Sequence, residues 1–90
     1  MAARITHVRY HRTAEHEAII AFRWRLENGL SGETDRFTMV EWIEQGNDAV
    51  VEVDRETAPV AVVRMPGLAP FIQAYAGGQW TDRLLALPTF

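Results

Sequence analysis

The sequence predicts an α+β fold: one helix, at about residues 36–45, packed on an antiparallel sheet of four to six short strands in the order ββαβββ(β). Three observations predict it. First, Phe37-Thr38-Met39-Val40-Glu41-Trp42-Ile43-Glu44-Gln45-Gly46 is the one stretch with helical spacing. Phe37, Val40 and Ile43 fall on one side with Met39 and Trp42 adjoining, an apolar stripe wide enough to lie on a sheet. Second, the rest of the chain alternates or runs in short β-branched segments. Third, turn-forming residues separate those segments at hairpin spacing, which makes neighbouring strands antiparallel.

Taken in order, Arg4–Arg12 alternates, with Thr6, Val8 and Tyr10 on one face and Ile5, His7, Arg9 and His11 on the other. Thr13–Glu17 is a polar loop. Ala18–Leu26 alternates more strongly, placing Ala18, Ile20, Phe22, Trp24 and Leu26 on one face. Its other face carries Ile19, Ala21, Arg23 and Arg25. Aligning the apolar faces sets Val8 near Ile20 or Phe22, and Tyr10 near Ala18 or Ile20.

Asn28-Gly29-Leu30-Ser31-Gly32 reads as a turn-rich connection into the helix. Thr34 or Asp35 supplies the N-cap oxygen for the free N–H groups of the first turn. Gly46 stands where a left-handed C-terminal cap is wanted. Strands follow at Ala49–Val53, at Val60–Arg64 (opened by Pro59) and at Phe71–Tyr75. Between the first two lies the charged turn Asp54–Ala58. Ala76-Gly77-Gly78-Gln79 is a tight hairpin signal, returning Trp80–Leu85 beside the preceding strand.

Ninety residues suit a single core, and an apolar fraction of 48% is enough to fill it. The chain has no cysteine, which removes a disulfide scaffold, a thiolate metal site and a cysteine nucleophile together. Met1-Ala2-Ala3-Arg4 carries no apolar signal-peptide core, and the longest apolar runs fall far short of the ~20 residues that cross a bilayer. The expectation is a cytoplasmic protein without membrane contact. All nine basic residues are arginine. Arginine suits bidentate anion contacts, but coding bias in a GC-rich genome explains the pattern more simply.

Ile5-Thr6-His7-Val8-Arg9-Tyr10, Arg23-Trp24, Met39–Glu44, Val62-Val63-Arg64 and the closing Trp80-Thr81-Asp82 with Leu84–Pro88 resemble the bacterial and phage family catalogued as domain of unknown function 3892. The resemblance spans nearly the whole chain. It implies a small intracellular bacterial or phage protein and carries no established activity. The loop Thr13–Glu17 and the turn Asp54–Ala58 depart most from the family's pattern.

Individual constellations say little about chemistry. On a strand His7 and His11 lie ~13 Å apart, too far for one zinc ion that needs nitrogens at ~2.1 Å. His16 has only Glu15 and Glu17 beside it, so no metal and no cofactor is expected. Ser31 lacks the strand–turn–helix elbow of a nucleophile. Glu41, Glu44 and Glu52 read as solvated faces rather than a paired-carboxylate site. Gly29-Leu30-Ser31-Gly32 lacks the lysine and the length of a phosphate-binding loop.

The most suggestive cluster is cationic. His7, Arg9, Arg23 and Arg25 share the face of the first hairpin that points away from the helix, with Ile5 and Ile19 among them and Arg4 and Arg12 near its ends. Such a face suits a protein partner, a second copy or a small anionic ligand. A net charge of −3 argues against a dedicated nucleic-acid binder. Trp24 and Trp42 are core by pattern. Trp80, beside Thr81 and Asp82, is a candidate contact residue, although a lid over one end of the sheet describes it better. The closing segment, with Leu84, Leu85, Leu87 and Phe90, is too apolar to stay in water. It must dock on its own domain or on a neighbour, and the expectation is a homodimer with these four residues at its interface. The functional expectation is therefore a non-catalytic binding or interaction module that self-associates. The alternative is a binder of a small anionic or nucleotide-like ligand, and a small enzyme comes third.

Overall fold

The computed structural model describes residues 2–90. Its strands are β1 (Ala2–Tyr10), β2 (Ile19–Arg25), β3 (Ser31–Asp35), β4 (Asp48–Val53), β5 (Glu56–Val63), β6 (Phe71–Ala76) and β7 (Gln79–Thr81), with one helix, α1 (Arg36–Glu44), between β3 and β4. Short 3-10 turns occupy His16–Ala18 and Arg83–Ala86. The fold is α+β, as the sequence predicts. The seven strands form one sheet in the order β3-β2-β1-β4-β5-β6-β7. All pairings are antiparallel except the central one: β1 and β4 run parallel, with Ala2 opposite Asp48 and Ile5 opposite Val51. The expected all-antiparallel sheet of four to six strands is thus corrected to a mixed sheet of seven.

The extra strand is β3, in the stretch that reads as a connection. Ser31-Gly32-Glu33-Thr34-Asp35 is too polar and glycine-rich to announce a strand. It is held by pairing with β2, where Trp24 stands opposite Gly32. The indole covers the glycine so closely that a Cβ there would lie 2.6 Å from the ring. At the other end Trp80–Leu85 does not continue as a strand. β7 stops at Thr81, and Arg83–Ala86 coils into a 3-10 turn that drops Leu84 into the core.

The helix begins where expected. Asp35 Oδ1 accepts from the Thr38 N–H at 2.7 Å, which holds the Asp35 carboxyl below its usual range. Gly46 takes φ +100° beyond the last turn. The buried stripe is rotated from the expected one, however. Met39 and Val40 are buried and Trp42 and Ile43 half-buried, whereas Phe37 is 65% exposed beside the Arg36 guanidinium. With Met39 and Val40 turned inward, helical spacing carries Phe37 round toward solvent.

Two irregularities reset the faces of the first hairpin. Between Ile5 and His7 the register with β2 slips by one, leaving Thr6 as an extra residue of β1. Between Arg9 and Tyr10 the compensating extra residue lies in β2, where Ala21 and Ile19 are the partners and Ile20 is skipped. Each bulge inverts the alternation. Ile5 and Ile19, expected among the arginines, are therefore core residues, and Ile20, expected inside, is 40% exposed. Between the bulges the predicted Val8–Phe22 pair is found, while Tyr10 faces Ile19. Ile5, Val8, Ile19, Phe22, Val51, Val60, Ile72 and Leu84 join Met39 and Val40 in one core cluster.

Candidate functional site

The site grows out of the first bulge. Because Thr6 is skipped, its side chain can bridge the gap: the hydroxyl donates to the Arg23 carbonyl at 3.1 Å. It also lies 2.9 Å from His7 Nδ1. One hydroxyl hydrogen cannot serve both contacts, so His7 carries its proton on Nδ1 and donates to Thr6. This fixes the imidazole beside Arg23, its cross-strand partner.

β4 pairs with β1 only as far as Ile5. Beyond that point the place beside β1 would be open, leaving the donor and acceptor of Val8 without a strand partner. The closing segment fills it. Val8 donates its N–H to the Pro88 carbonyl at 3.0 Å, and Phe90 donates to the Val8 carbonyl at 3.2 Å. The segment runs parallel to β1, with Thr89 bridged to Val8. Pro88, which has no N–H to offer, contributes its carbonyl instead.

The Phe90 ring then meets the cationic face. The guanidiniums of Arg9 and Arg23 each lie 4.5 Å from its centroid, and the His7 ring approaches edge-on at 6.4 Å. Arg9 Nε also donates to the Phe90 main-chain oxygen at 2.9 Å. Arg23 is held from its other side by Glu33 Oε1, 2.7 Å from Nη2 and 3.2 Å from Nε. An aromatic ring attracts a cation through its electron-rich face, by roughly 0.5–1 kcal/mol at an exposed site. The arrangement is a backbone slot beside a two-arginine aromatic clamp.

Of the residues expected at a site, His7, Arg9 and Arg23 converge on Phe90. Arg25 lies farther along β2, directly across from Arg4. Trp80 and Asp82 are elsewhere, at the β7 edge. Trp80 is 47% exposed and meets Tyr75 edge-on at 5.1 Å, so it is no lid. Asp82 is exposed and favours the protonated form of His16, whose burial outweighs that influence and lowers the imidazole pKa. Leu84 is fully buried in its own domain, and Leu85 and Leu87 pack partly against the same core. The apolar tail is therefore docked on its own domain, where Leu84 is a core residue. Glu33, which braces the clamp, escaped sequence reasoning because β3 itself did; its register opposite Arg23 is the signal that would have found it. Among the described residues no cluster of three or more metal-ligating side chains occurs, and no helix is long and apolar enough to cross a membrane.

The fold and site define a one-helix α+β domain whose open sheet receives its own closing segment beside β1. The chain belongs to the family described as protein of unknown function (DUF3892), whose model matches residues 4–88. Neither the curated proteins nor the solved structures contain a match to the chain.

Proposed function

We propose that the protein is a non-catalytic interaction module that holds an extended, aromatic-bearing chain segment in the slot beside β1. The observation that carries this reading is the double recognition of residues 88–90. Main-chain hydrogen bonds to Val8 fix the segment's direction, and Arg9 and Arg23 select its aromatic side chain. This is the logic of strand addition, in which backbone bonds supply affinity and a side-chain pocket supplies specificity. In the isolated chain the segment is the protein's own. When a second copy supplies it, the same contacts form between subunits and build a symmetric exchanged dimer. Light scattering coupled to size exclusion tests the self-association, on the full chain and on Phe90→Ala. A dimer fraction that grows with concentration and falls in the variant is expected. A wild-type chain that stays monomeric at tens of micromolar would rule out exchange.

A second reading rests on Arg4 and Arg25. They face each other directly across β1 and β2, a destabilising like-charge pair unless something neutralises it. Glu52 approaches Arg4 at 3.4 Å, and both arginines line an outer-face depression of about 500 Å³. A small anion could occupy it, although Glu27 and Glu52 share its walls. Phosphate binding that fades with salt and is lost in Arg25→Gln would favour this reading.

A further inference from the structure

A second concavity lies between the helix and the sheet. α1 packs against β2 and β3 near the end of the first hairpin, and Ala3 of β1 lines the space between them. Where a larger residue would fill the gap, alanine leaves a cavity of about 160 Å³, lined by Ala3, Trp24, Leu26, Thr34, Thr38, Met39 and Trp42. It is close to the ~150 Å³ of apolar cavities that accept a benzene-sized guest.

Its walls are built rather than incidental. The Trp24 indole is held on one side by its N–H, which donates to Thr34 Oγ1 at 2.8 Å. On the other side it rests on Gly32, so closely that no Cβ fits. Met39, 2% exposed, belongs to the core beneath. The ring is thus positioned before anything binds, which removes an ordering cost from binding. No charged side chain lines the cavity, so a charged guest would lose its hydration without compensation. The polar groups that remain are hydroxyls and an indole. Thr34 accepts from Trp24 and keeps its own hydrogen to donate, the Thr38 hydroxyl is engaged by the Asp35 carboxylate, and the Trp42 N–H makes no hydrogen bond among the described residues.

We infer that this cavity is a binding site for a small, uncharged, planar aromatic molecule carrying one hydrogen-bonding substituent, its ring against Trp24 and Trp42 and its polar atom toward the threonine hydroxyls. The inference does not depend on the β1 slot, which involves none of these residues.

Para-fluorophenol is the probe, titrated into the full chain and followed by fluorine NMR and by the indole N–H signals of the three tryptophans. The expected result is saturable binding with a dissociation constant on the order of 0.1–1 mM for so few atoms. The Trp24 and Trp42 signals should shift and the Trp80 signal should stay in place. Thr38→Phe, at an exposed helix position on the rim, should weaken binding at least ~10-fold by filling the mouth, as bulk placed in a guest's volume must. Para-fluorobenzoate, of the same size but charged, should bind more weakly still. Absence of saturable shifts at Trp24 and Trp42 would overturn the inference whatever the variant does. So would a response led by Trp80, or benzoate binding as tightly as the phenol. If Thr38→Phe fails to fold, the pattern of wild-type indole shifts decides.

Discussion

Leu84→Ala probes how the closing part of the chain is anchored. Leu84 has no exposed surface and sits in the same cluster as Val51 and Ile72, although the 3-10 turn carrying it is only four residues long and so has room for few backbone bonds of its own. Those bonds are local: Leu85 donates to the Asp82 carbonyl at 3.0 Å and Leu87 to the Leu84 carbonyl at 3.3 Å. Truncating a buried leucine costs about 2–5 kcal/mol, the upper end applying where the cavity cannot collapse. A turn this lightly tethered can settle toward the gap, which places the expected loss near ~3 kcal/mol. A domain of this size has a total stability of roughly 5–13 kcal/mol. At about 4–8 °C per kcal/mol, the melting temperature should fall by on the order of 12–24 °C. Circular dichroism melts and urea unfolding at one fixed protein concentration measure both quantities. Leu87→Ala, at a half-buried position, should cost about half as much on the same transfer scale. A Leu84→Ala loss under ~1 kcal/mol, well below the range for buried leucines, would refute cis docking of the segment.

Other perturbations test the remaining corrections. Gly32→Ala drives a methyl into the Trp24 ring, which its hydrogen bond to Thr34 keeps from swinging away; urea unfolding should show a loss of about 1–3 kcal/mol, as for overpacking elsewhere. Phe37→Ala should change stability by less than ~0.5 kcal/mol, whereas Met39→Ala should cost about 2–5 kcal/mol, reversing the order the helical pattern alone suggests. His16 is buried, its Nε2 lacks a partner, and desolvation lowers its pKa from 6.5 against the opposing pull of Asp82 and Glu17. The unfolded chain therefore takes up that proton first, so stability is complete above pH 6.5 and declines as the pH falls from there toward the folded-state value. Thermal melts across that window should show the decline, and His16→Gln should flatten it.

The helix, its caps and most strands were legible because each rests on local chemistry: Asp35 at the N-cap, Gly46 past the end, Gly77-Gly78 with φ of +60° and +80° in the last hairpin. What escaped was decided by partners distant in sequence. β3 has no strand composition and exists through β2 and the Trp24 ring over Gly32. The parallel β1–β4 pair joins segments more than forty residues apart, which a hairpin rule cannot reach. The burial of Ile5 and Ile19 in place of Ile20 follows from two bulges, and strict alternation carries no signal for an inserted residue. For the candidate site, grouping His7, Arg9 and Arg23 was readable from the strand pattern, because the stretch between the bulges keeps its alternation. Their common target was not. Phe90 reaches them only because β4 leaves β1 after Ile5, a fact of topology.

One amide reports on the slot directly. The Val8 N–H is bonded to the Pro88 carbonyl, so its hydrogen exchange measures occupancy of the place beside β1. The decisive measurement is the exchange rate of this amide in the Phe90→Ala chain, with and without an acetylated Leu-Pro-Thr-Phe peptide in excess. Protection in the wild type, its loss in the variant and its return with the peptide are predicted, with no return for a peptide ending in alanine. Protection that survives Phe90→Ala, or that the aromatic peptide fails to restore once lost, would contradict recognition of an aromatic segment at this slot.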